Sequence, residues 1–517
     1  MNSTGGATGA GGDPELPGRA VSPWLDRRPA ATRPALDHDL EVDVVVAGAG
    51  IVGLTAALLA ARDGARVAVL ERRRVGAGVS GNTTAKVTWL HGLVYSSLIS
   101  RHGPEAARAY AEANEAGLAT VVALAESLGI DCDLRRKAHL VYAERPAERD
   151  AVEREAEAAA GAGLEVDVVP EAGLPFATAG AIRARDQAEL DPVAYLEGLA
   201  AELDRDGPRI YERTAVVGLT GDGVATAGGL RVRAGHVIVA TQLPFADRGL
   251  LFARAKPSRS YALTARLEGP PPPEMYLSAS SQPHSIRSLR HGREQLALVA
   301  GEGEPFARGE PVERLRALAG WARERLGAVA VEHRWSAHDY VPEDLLPYVG
   351  RLRPGSDRVL TATGLSKWGL AMGTTAARMM VDTAGGRRSR WSEAFDPWRL
   401  PGRRSIRPLA EHNLSAGAHF VADRLRRRSG ADELEPGEGR VVGAGPGRRA
   451  VYRDPAGELH AVSARCTHLG CLVRWNGAER TWECPCHGSR FGALGEVLNG
   501  PAVDPLEPRE PPAAQGG

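Results

Sequence analysis

Asp43-Val-Val-Val-Ala-Gly48-Ala-Gly50-Ile-Val-Gly53-Leu-Thr-Ala-Ala-Leu-Leu-Ala-Ala61 is the stretch whose reading decides the fold. From Val44 to Ala61 only Thr55 is polar, and those 18 residues reach the length of a membrane span. The glycines at 48, 50 and 53 argue against one. They divide the run into a short β-branched piece and an Ala/Leu-rich piece, the pattern of a soluble strand, a tight turn and a helix. A second apolar run, Val67-Ala-Val-Leu70, ends in Glu71, 18 positions beyond Gly53. Strand, helix and strand make a βαβ unit. In that context Gly48-Ala-Gly50-Ile-Val-Gly53 is a dinucleotide-binding G-x-G-x-x-G. Gly48 permits the turn, Gly50 lets the backbone approach a pyrophosphate, and Gly53 lets helix and strand pack closely. Free N–H groups at the helix start attract the pyrophosphate, while Glu71 is placed to hold ribose hydroxyls. The same pattern recurs at Gly76-Ala-Gly78-Val-Ser-Gly81, but no adequate helix follows it, and it is set aside.

At about 150 residues per domain, 517 residues make two to four domains. Hydrophobic residues are 43 % and charged residues 25 %, which excludes a fibrous or wholly disordered chain. The formal net charge is zero, so no basic field for nucleic acid or an anionic membrane exists at the whole-chain level. Only Lys86, Lys137, Lys256 and Lys367 are lysines among 64 cationic residues, a compositional habit without functional content. Five cysteines cannot staple a chain of this size, and four of them fall between Cys466 and Cys486. Cys132, the fifth, reads as a small buried hydrophobe. Residues 1–40 hold no apolar signal core, and Arg27-Arg28 has nothing apolar behind it. The expectation is a cytoplasmic protein with no membrane span and no nucleic-acid partner.

Residues 1–40 read as a disordered leader with one docking point at Trp24-Leu25. Residues 41–385 alternate strands and helices, with helices predicted at 104–128, 147–160 and 369–384 and buried strands at Val237–Ala240 and Val359–Thr363. A basic, proline-punctuated linker, 386–430, carries one short helix at 416–428. Residues 431–512 change to short strands and tight turns, with Asp454-Pro-Ala-Gly457 turning a hairpin between 449–453 and 458–464.

That last region contains Cys466-Thr-His468-Leu-Gly-Cys471 and Cys484-Pro-Cys486-His487-Gly-Ser489. Two thiolates and two imidazoles from two loops suit a [2Fe–2S] cluster with cysteines on one iron and histidines on the other. A structural Cys₂His₂ zinc site is the competing reading, although zinc favours C-x₂₋₄-C and H-x₃₋₅-H pairs over mixed loops.

Residues 434–508, including Gly500-Pro-Ala502, closely resemble the Rieske family. The resemblance implies that Cys466, His468, Cys484 and His487 are the metal ligands and that Cys471 and Cys486 form a disulfide between the two loops. It further implies that Ser489 donates a hydrogen bond to a cluster sulfur, while Phe491 stands where high-potential members carry tyrosine. A Rieske cluster passes one electron at a time, a nicotinamide exchanges two together, and a flavin does both. With one well-placed dinucleotide motif in the chain, FAD is the cofactor that can feed the cluster.

Residues 41–385 in turn resemble the D-amino-acid-oxidase-type (glycine/sarcosine oxidase-like) FAD-dependent oxidoreductases. The likeness is carried by Asp43–Gly53, Glu71-Arg72, Gly81-Asn-Thr-Thr-Ala-Lys-Val-Thr88, Trp335-Ser-Ala-His-Asp339, Leu346-Pro-Tyr-Val-Gly350 and Thr363-Gly-Leu-Ser-Lys-Trp-Gly-Leu370. Thr83-Thr84-Ala-Lys86 with His91-Gly92 resembles the subgroup fused to a C-terminal Rieske domain. Gly48, Gly50, Gly53, Glu71, Arg72, Thr83, Thr84, Val216, Gly364, Lys367 and Gly369 are then implied at FAD. Members with covalent flavin use a cysteine or histidine at set positions. None lies at 340–370 or at Asn82-Thr83, so FAD is expected to be non-covalent. His91, His338, Tyr348 and Lys367 are the catalytic candidates, with Arg259, Arg287 and Trp368 as further substrate-pocket candidates.

The expected architecture is an α/β Rossmann-type FAD-binding domain with an inserted α+β substrate domain, followed by a small all-β Rieske domain. The expected function is hydride transfer from a small amine or amino acid to FAD, then single electrons to the cluster and on to an unidentified one-electron acceptor. Two readings compete with it. One is an NAD(P)H-dependent reductase feeding an oxygenase, disfavoured because no second nucleotide fold is visible. The other is an electron-transfer or redox module without a small-molecule substrate.

Overall fold

A computed structural model describes residues 16–27, 32–400 and 434–512, apart from single positions 208, 248, 308 and 444. The quoted stretch becomes strand Leu40–Ala47 and helix Ile51–Arg62. The strand pairs in parallel with Val67–Leu70 on one side and Arg231–Val239 on the other. Ser356–Thr363 and Ile210–Tyr211 continue the parallel order outward, and Tyr348–Arg353 adds an antiparallel edge. A parallel sheet is covered on both faces, which is why these strands read as unbroken β-branched runs. Helix Ile51–Arg62 is buried at every position from Ile51 to Ala60, so its apolar character runs all the way round. The membrane-length run is thus two buried elements of a sheet domain. Among the described residues no helix is long and apolar enough to cross a membrane.

A second, nine-stranded sheet carries the inserted α+β layer. Its longest pair is Ala255–Leu267 against Ala328–Pro342, in the register Pro257 to Tyr340, Arg259 to His338 and Tyr261 to Ser336. Side chains alternate along a strand, so these six residues share one face while Ala337 and Asp339 belong to the other. The C-terminal unit docks on the first face. It consists of two four-stranded antiparallel sheets. The predicted hairpin joins Arg449–Arg453 to Leu459–Ser463, and Asp454 Oδ1 accepts from the Ala456 and Glu458 amides to shape the turn.

The described part of the leader is packed against the first domain. Trp24 is 2 % exposed, and its Nε1 donates to the Thr83 carbonyl at 2.9 Å. Ser22 caps the short helix Pro23–Asp26 and donates to the Gly81 carbonyl at 2.6 Å. Arg19 N donates to the Glu332 carbonyl at 2.9 Å, and Arg33 pairs with Glu197 and Asp204. A Gly/Pro/Arg-rich composition shows no periodicity, so backbone pairing with a distant strand leaves no local signal. The helix expected at 416–428 lies outside the described residues.

Candidate functional site

One cavity gathers most of the residues expected at the dinucleotide. Gly48, Gly50, Glu71, Arg72, Thr83, Val216, Gly364, Lys367 and Gly369 all line it. Gly48 sits at φ +106°, and a Cβ there would stand 2.6 Å from the Ala240 carbonyl oxygen. A Cβ on Gly50 would meet only Ser80, with Oγ at 3.0 Å, and would otherwise project into the cavity. Gly53 does not line the cavity; its Cβ would collide with the Gly48 carbonyl, so it is the glycine of close packing. Thr84 also lies outside the lining, its carbonyl accepting from Arg287 Nη1 at 3.1 Å. Helix Ile51–Arg62 starts at Gly50, which has no side chain to cap it; Ser80 holds the Ile51 amide, and the rest of the helix start is the kind of N-terminus that favours an anion. Glu71 accepts from Ala49 N at 2.9 Å and Arg73 N at 2.8 Å, so the carboxylate that faces the cavity is held by the glycine loop. Absent Cβ atoms, a helix N-terminus at the cavity and a fixed carboxylate fit a bound dinucleotide.

The second glycine motif, set aside on sequence, belongs to the same wall. Gly76, Gly78 and Ser80 line the cavity, and a Cβ on Gly81 would strike the Gly76 carbonyl as Gly53 would strike Gly48. Only a 3₁₀ turn, Val79–Asn82, follows it. Ser80 Oγ accepts from Ile51 N at 3.1 Å and so joins the two loops. Gln242 and Asp339 are further lining residues that the sequence reading missed. The repeated motif was the available signal for the first group. For Gln242 there was none, whereas Asp339 ends one of the stretches that carry the family likeness.

Of the four catalytic candidates only Lys367 lines the cavity. Its amide donates to Asp339 Oδ2 at 2.6 Å and its Nζ to Ser260 Oγ at 2.7 Å. Surrounding protein lowers the amine to about 8, against the pull of Asp339. Asp339 itself is pushed up by burial, opposed by the amides of Lys367 and Tyr340. His91 is buried, with Nδ1 2.7 Å from Tyr110 Oη and Nε2 2.7 Å from the Thr88 carbonyl. Desolvation drops it to about 3, and it stacks at 4.2 Å on Trp368. It is a neutral packing group. The Arg254 and Arg399 guanidiniums both lie over the Tyr348 ring, at 4.5 and 4.0 Å from its centre. Arg287 is fully enclosed, pairing with Glu189 at 3.0 Å and donating to the carbonyls of Thr84 and Ala85. His338 and Arg259 face the C-terminal unit. Arg259, 0 % exposed, pairs with Glu483 of that unit. Burial opposes the charge on Arg259, and Glu483 together with Tyr261 and Glu479 more than compensates.

The cluster loops are closed by the Cys471–Cys486 disulfide. Cys466 and Cys484 are free, buried and within hydrogen-bond reach of one another, which pushes the Cys484 thiol up. The His468 and His487 rings stand edge to face at 5.1 Å, and the buried Nδ1 of His468 has no hydrogen-bond partner among the described residues. Two thiols within reach of one another and a buried imidazole nitrogen without a partner, carried on the two loops that the disulfide closes, fit a two-iron cluster. Ser489 hydrogen-bonds the Cys466 thiol and accepts from Ala502 N at 3.1 Å. Phe491 is wholly buried, opposite Trp482 in the adjacent strand.

The two sites meet across a single strand. Asp339 lines the dinucleotide cavity, and the next residue, Tyr340, donates from Oη to the His487 carbonyl at 2.8 Å. Ser336 N donates to Glu479 Oε1 at 2.7 Å, and Phe252 packs edge-on against His487 at 4.7 Å and His468 at 5.6 Å.

This arrangement, a dinucleotide cavity in a two-sheet domain with a cysteine–histidine unit docked on it, defines an FAD-linked iron–sulfur oxidoreductase. The chain belongs to the FAD dependent oxidoreductase (DAO) family, which matches residues 43–383, and residues 428–510 match the Rieske [2Fe-2S] domain. FAD and a [2Fe–2S] cluster are its cofactors. It is 32 % identical over 494 residues, 94 % of this chain and 96 % of the relative, to YhfW of Bacillus subtilis (strain 168), a protein provisionally designated a Rieske 2Fe-2S iron-sulfur protein. A shorter likeness, 36 % over 106 residues, joins 19 % of this chain to 59 % of the cytochrome b6-f complex iron-sulfur subunit of Chlorobaculum thiosulfatiphilum. Among solved structures, glycine oxidase from Geobacillus kaustophilus superposes with a TM-score of 0.57 at 22 % identity, over 70 % of this chain and all of that one. L-proline dehydrogenase from P. horikoshii gives 0.58 at 19 %, over 70 % of this chain and 98 % of its own. At these identities the superpositions speak for the fold.

Proposed function

We propose that the protein oxidises a small amine or amino acid at the C–H next to nitrogen and passes the electrons singly through the cluster to a one-electron acceptor. The observation that carries the electron route is the strand Ala328–Pro342, with Asp339 on the FAD cavity and Tyr340 bonded to the loop of His487. The amine rests on the neighbours, whose names are glycine oxidase, L-proline dehydrogenase and L-amino acid deaminase. Bound FAD supplies two-electron acceptance from substrate and one-electron release, and the cluster takes one electron at a time. The chain's own part is positional. Cys466, Cys484, His468 and His487 hold the cluster, and the disulfide fixes the spacing of their loops. The buried Arg259–Glu483 pair locks the Rieske unit in place, because separating two enclosed charges costs several kcal/mol. Lys367, with an amine near 8, is the one candidate placed to hold or release a proton beside the flavin. Loss of hydride from the substrate carbon leaves an iminium, which water hydrolyses outside the redox step.

Anaerobic mixing with a panel of amines and amino acids, and separately with NADH, tests this reading. An amine is expected to bleach the flavin absorbance, followed by the electron paramagnetic resonance signal of a reduced Rieske cluster. Bleaching by NADH and by no amine would make the protein a reductase. Bleaching by neither would leave an electron-transfer module.

A further inference from the structure

The Rieske unit also reaches the FAD cavity directly. Leu498, Asn499, Gly500 and Ala502 line it, in company with Gly50 and Glu71 of the glycine loop and its following strand. The segment begins inside strand Val497–Asn499, which pairs with Arg490–Gly492 beside the cluster loop. Two hydrogen bonds tie it to the cluster side. Ala502 N donates to Ser489 Oγ at 3.1 Å, and Thr467 Oγ1, between Cys466 and His468, donates to the Asp504 carbonyl at 2.7 Å. One contact ties it to the flavin side, where Arg72 Nη1 meets the Val503 carbonyl at 3.5 Å and the Asp504 charge lies close. Arg72 follows Glu71, so the segment closes on the cavity next to the glycine loop.

We propose that residues 498–502 of the Rieske unit form a wall of the FAD site, and that cluster assembly and FAD retention are thermodynamically coupled through the tethers at Thr467 and Ser489. A cluster held by Cys466 and Cys484 orders the loops that carry Thr467 and Ser489, and those loops set the position of the wall. Coupling between two binding events is reciprocal: whatever factor the cluster adds to FAD affinity, FAD adds to cluster affinity. Couplings of this kind are typically about 5- to 150-fold. The proposal depends on both cofactors being bound by this chain and is independent of the substrate, so failure of the amine reading leaves it standing.

The test is an FAD titration of the full-length protein, read by quenching of free-flavin fluorescence, with no substrate present. Cluster-loaded protein and the same chain stripped of iron by a chelator are compared. The stripped protein is expected to bind FAD about 5- to 150-fold more weakly. Circular dichroism showing the same secondary structure in both samples separates coupling from unfolding. Thr467→Val keeps all four proposed ligands and a normal cluster spectrum, and is expected to weaken FAD binding in cluster-loaded protein. Thr467→Ser is expected to restore it. Equal FAD affinity with and without the cluster overturns the proposal. Weaker binding in stripped protein together with an unaltered Thr467→Val variant overturns the assignment to this tether.

Discussion

The two cofactor sites are built from opposite materials. The FAD cavity is made of missing side chains: Gly48 and Gly50 leave room at a loop whose neighbours are apolar, while Gly53 lets helix and strand touch. The proposed cluster site is made of side chains, four candidate donors on two loops tied by Cys471–Cys486. A backbone cradle tolerates many neighbours but no added Cβ, whereas a donor set tolerates loop changes but no lost ligand. The first therefore fails by steric exclusion and the second by loss of charge and coordination.

Gly50→Val is the strongest way to separate them. The new side chain projects toward Ser80 and the pyrophosphate space, so FAD content should fall to nothing, while the proposed cluster ligands are untouched and iron binding is weakened only by the lost coupling to FAD. Flavin absorbance and iron analysis on one sample read both, and retained flavin would place the nucleotide elsewhere. Next in size is Arg259→Ala at the junction. It takes one of two cations from the Glu483 carboxylate, 1 % exposed, which keeps Arg490 at 3.4 Å and the donors Asn476 and Thr481, and should destabilise the docked Rieske unit by about 1.5–3 kcal/mol. Urea unfolding followed by cluster absorbance checks this; an unchanged midpoint would mean that the ion pair does not hold the two units.

Two smaller effects sharpen the contact itself. Tyr340→Phe removes one hydrogen bond to the His487 carbonyl, worth about 0.5–1.5 kcal/mol, and should slow cluster reduction while leaving flavin reduction by substrate unchanged. Stopped-flow absorbance resolves the two phases, and equal slowing of both would make Tyr340 merely structural. Ser489→Ala removes a donor from the Cys466 sulfur. Reduction adds negative charge to the cluster, so its midpoint should fall by about 20–65 mV, the same energy expressed for one electron. Voltammetry showing no downward shift would remove Ser489 from the tuning groups.

The last effect is a pH trend on the flavin side alone. Lys367 is held near 8, below the ordinary lysine value, so its ammonium is lost as pH rises through that point. Attraction for the anionic pyrophosphate should then weaken. FAD affinity is expected to fall across this range in the native protein and to be flat in Lys367→Met, with cluster spectra constant throughout.

Composition, spacing and two local motifs carried the sequence reading a long way. Strand–turn–helix around Gly48–Gly53, the paired boxes at Cys466 and Cys484, and the helix at 369–384 are all encoded by neighbours within a few residues, and such signals survive without knowledge of the rest of the chain. The role of a side chain far from any motif does not. His91 looked like a pocket histidine, yet Tyr110, Thr88 and Trp368 enclose it and burial keeps it neutral. Arg259 looked like a substrate cation, yet its partner Glu483 lies more than two hundred residues later.

What the amino-acid order determined by itself was therefore chemistry: an FAD-dependent oxidoreductase domain, a Rieske domain and the two cofactors they bind. What only the tertiary structure decided was adjacency. Phe491 indicates that the Rieske unit lacks its own phenol at that position, but the pairing of Ala255–Leu267 with Ala328–Pro342 brings Tyr340 from the other domain to the His487 loop. The same docking sets Leu498–Ala502 against the FAD cavity. The physical reason is that motif chemistry acts over one turn or one loop, whereas a domain interface is set by burial and charge pairing between strands far apart in the chain, and no local pattern records which faces will meet.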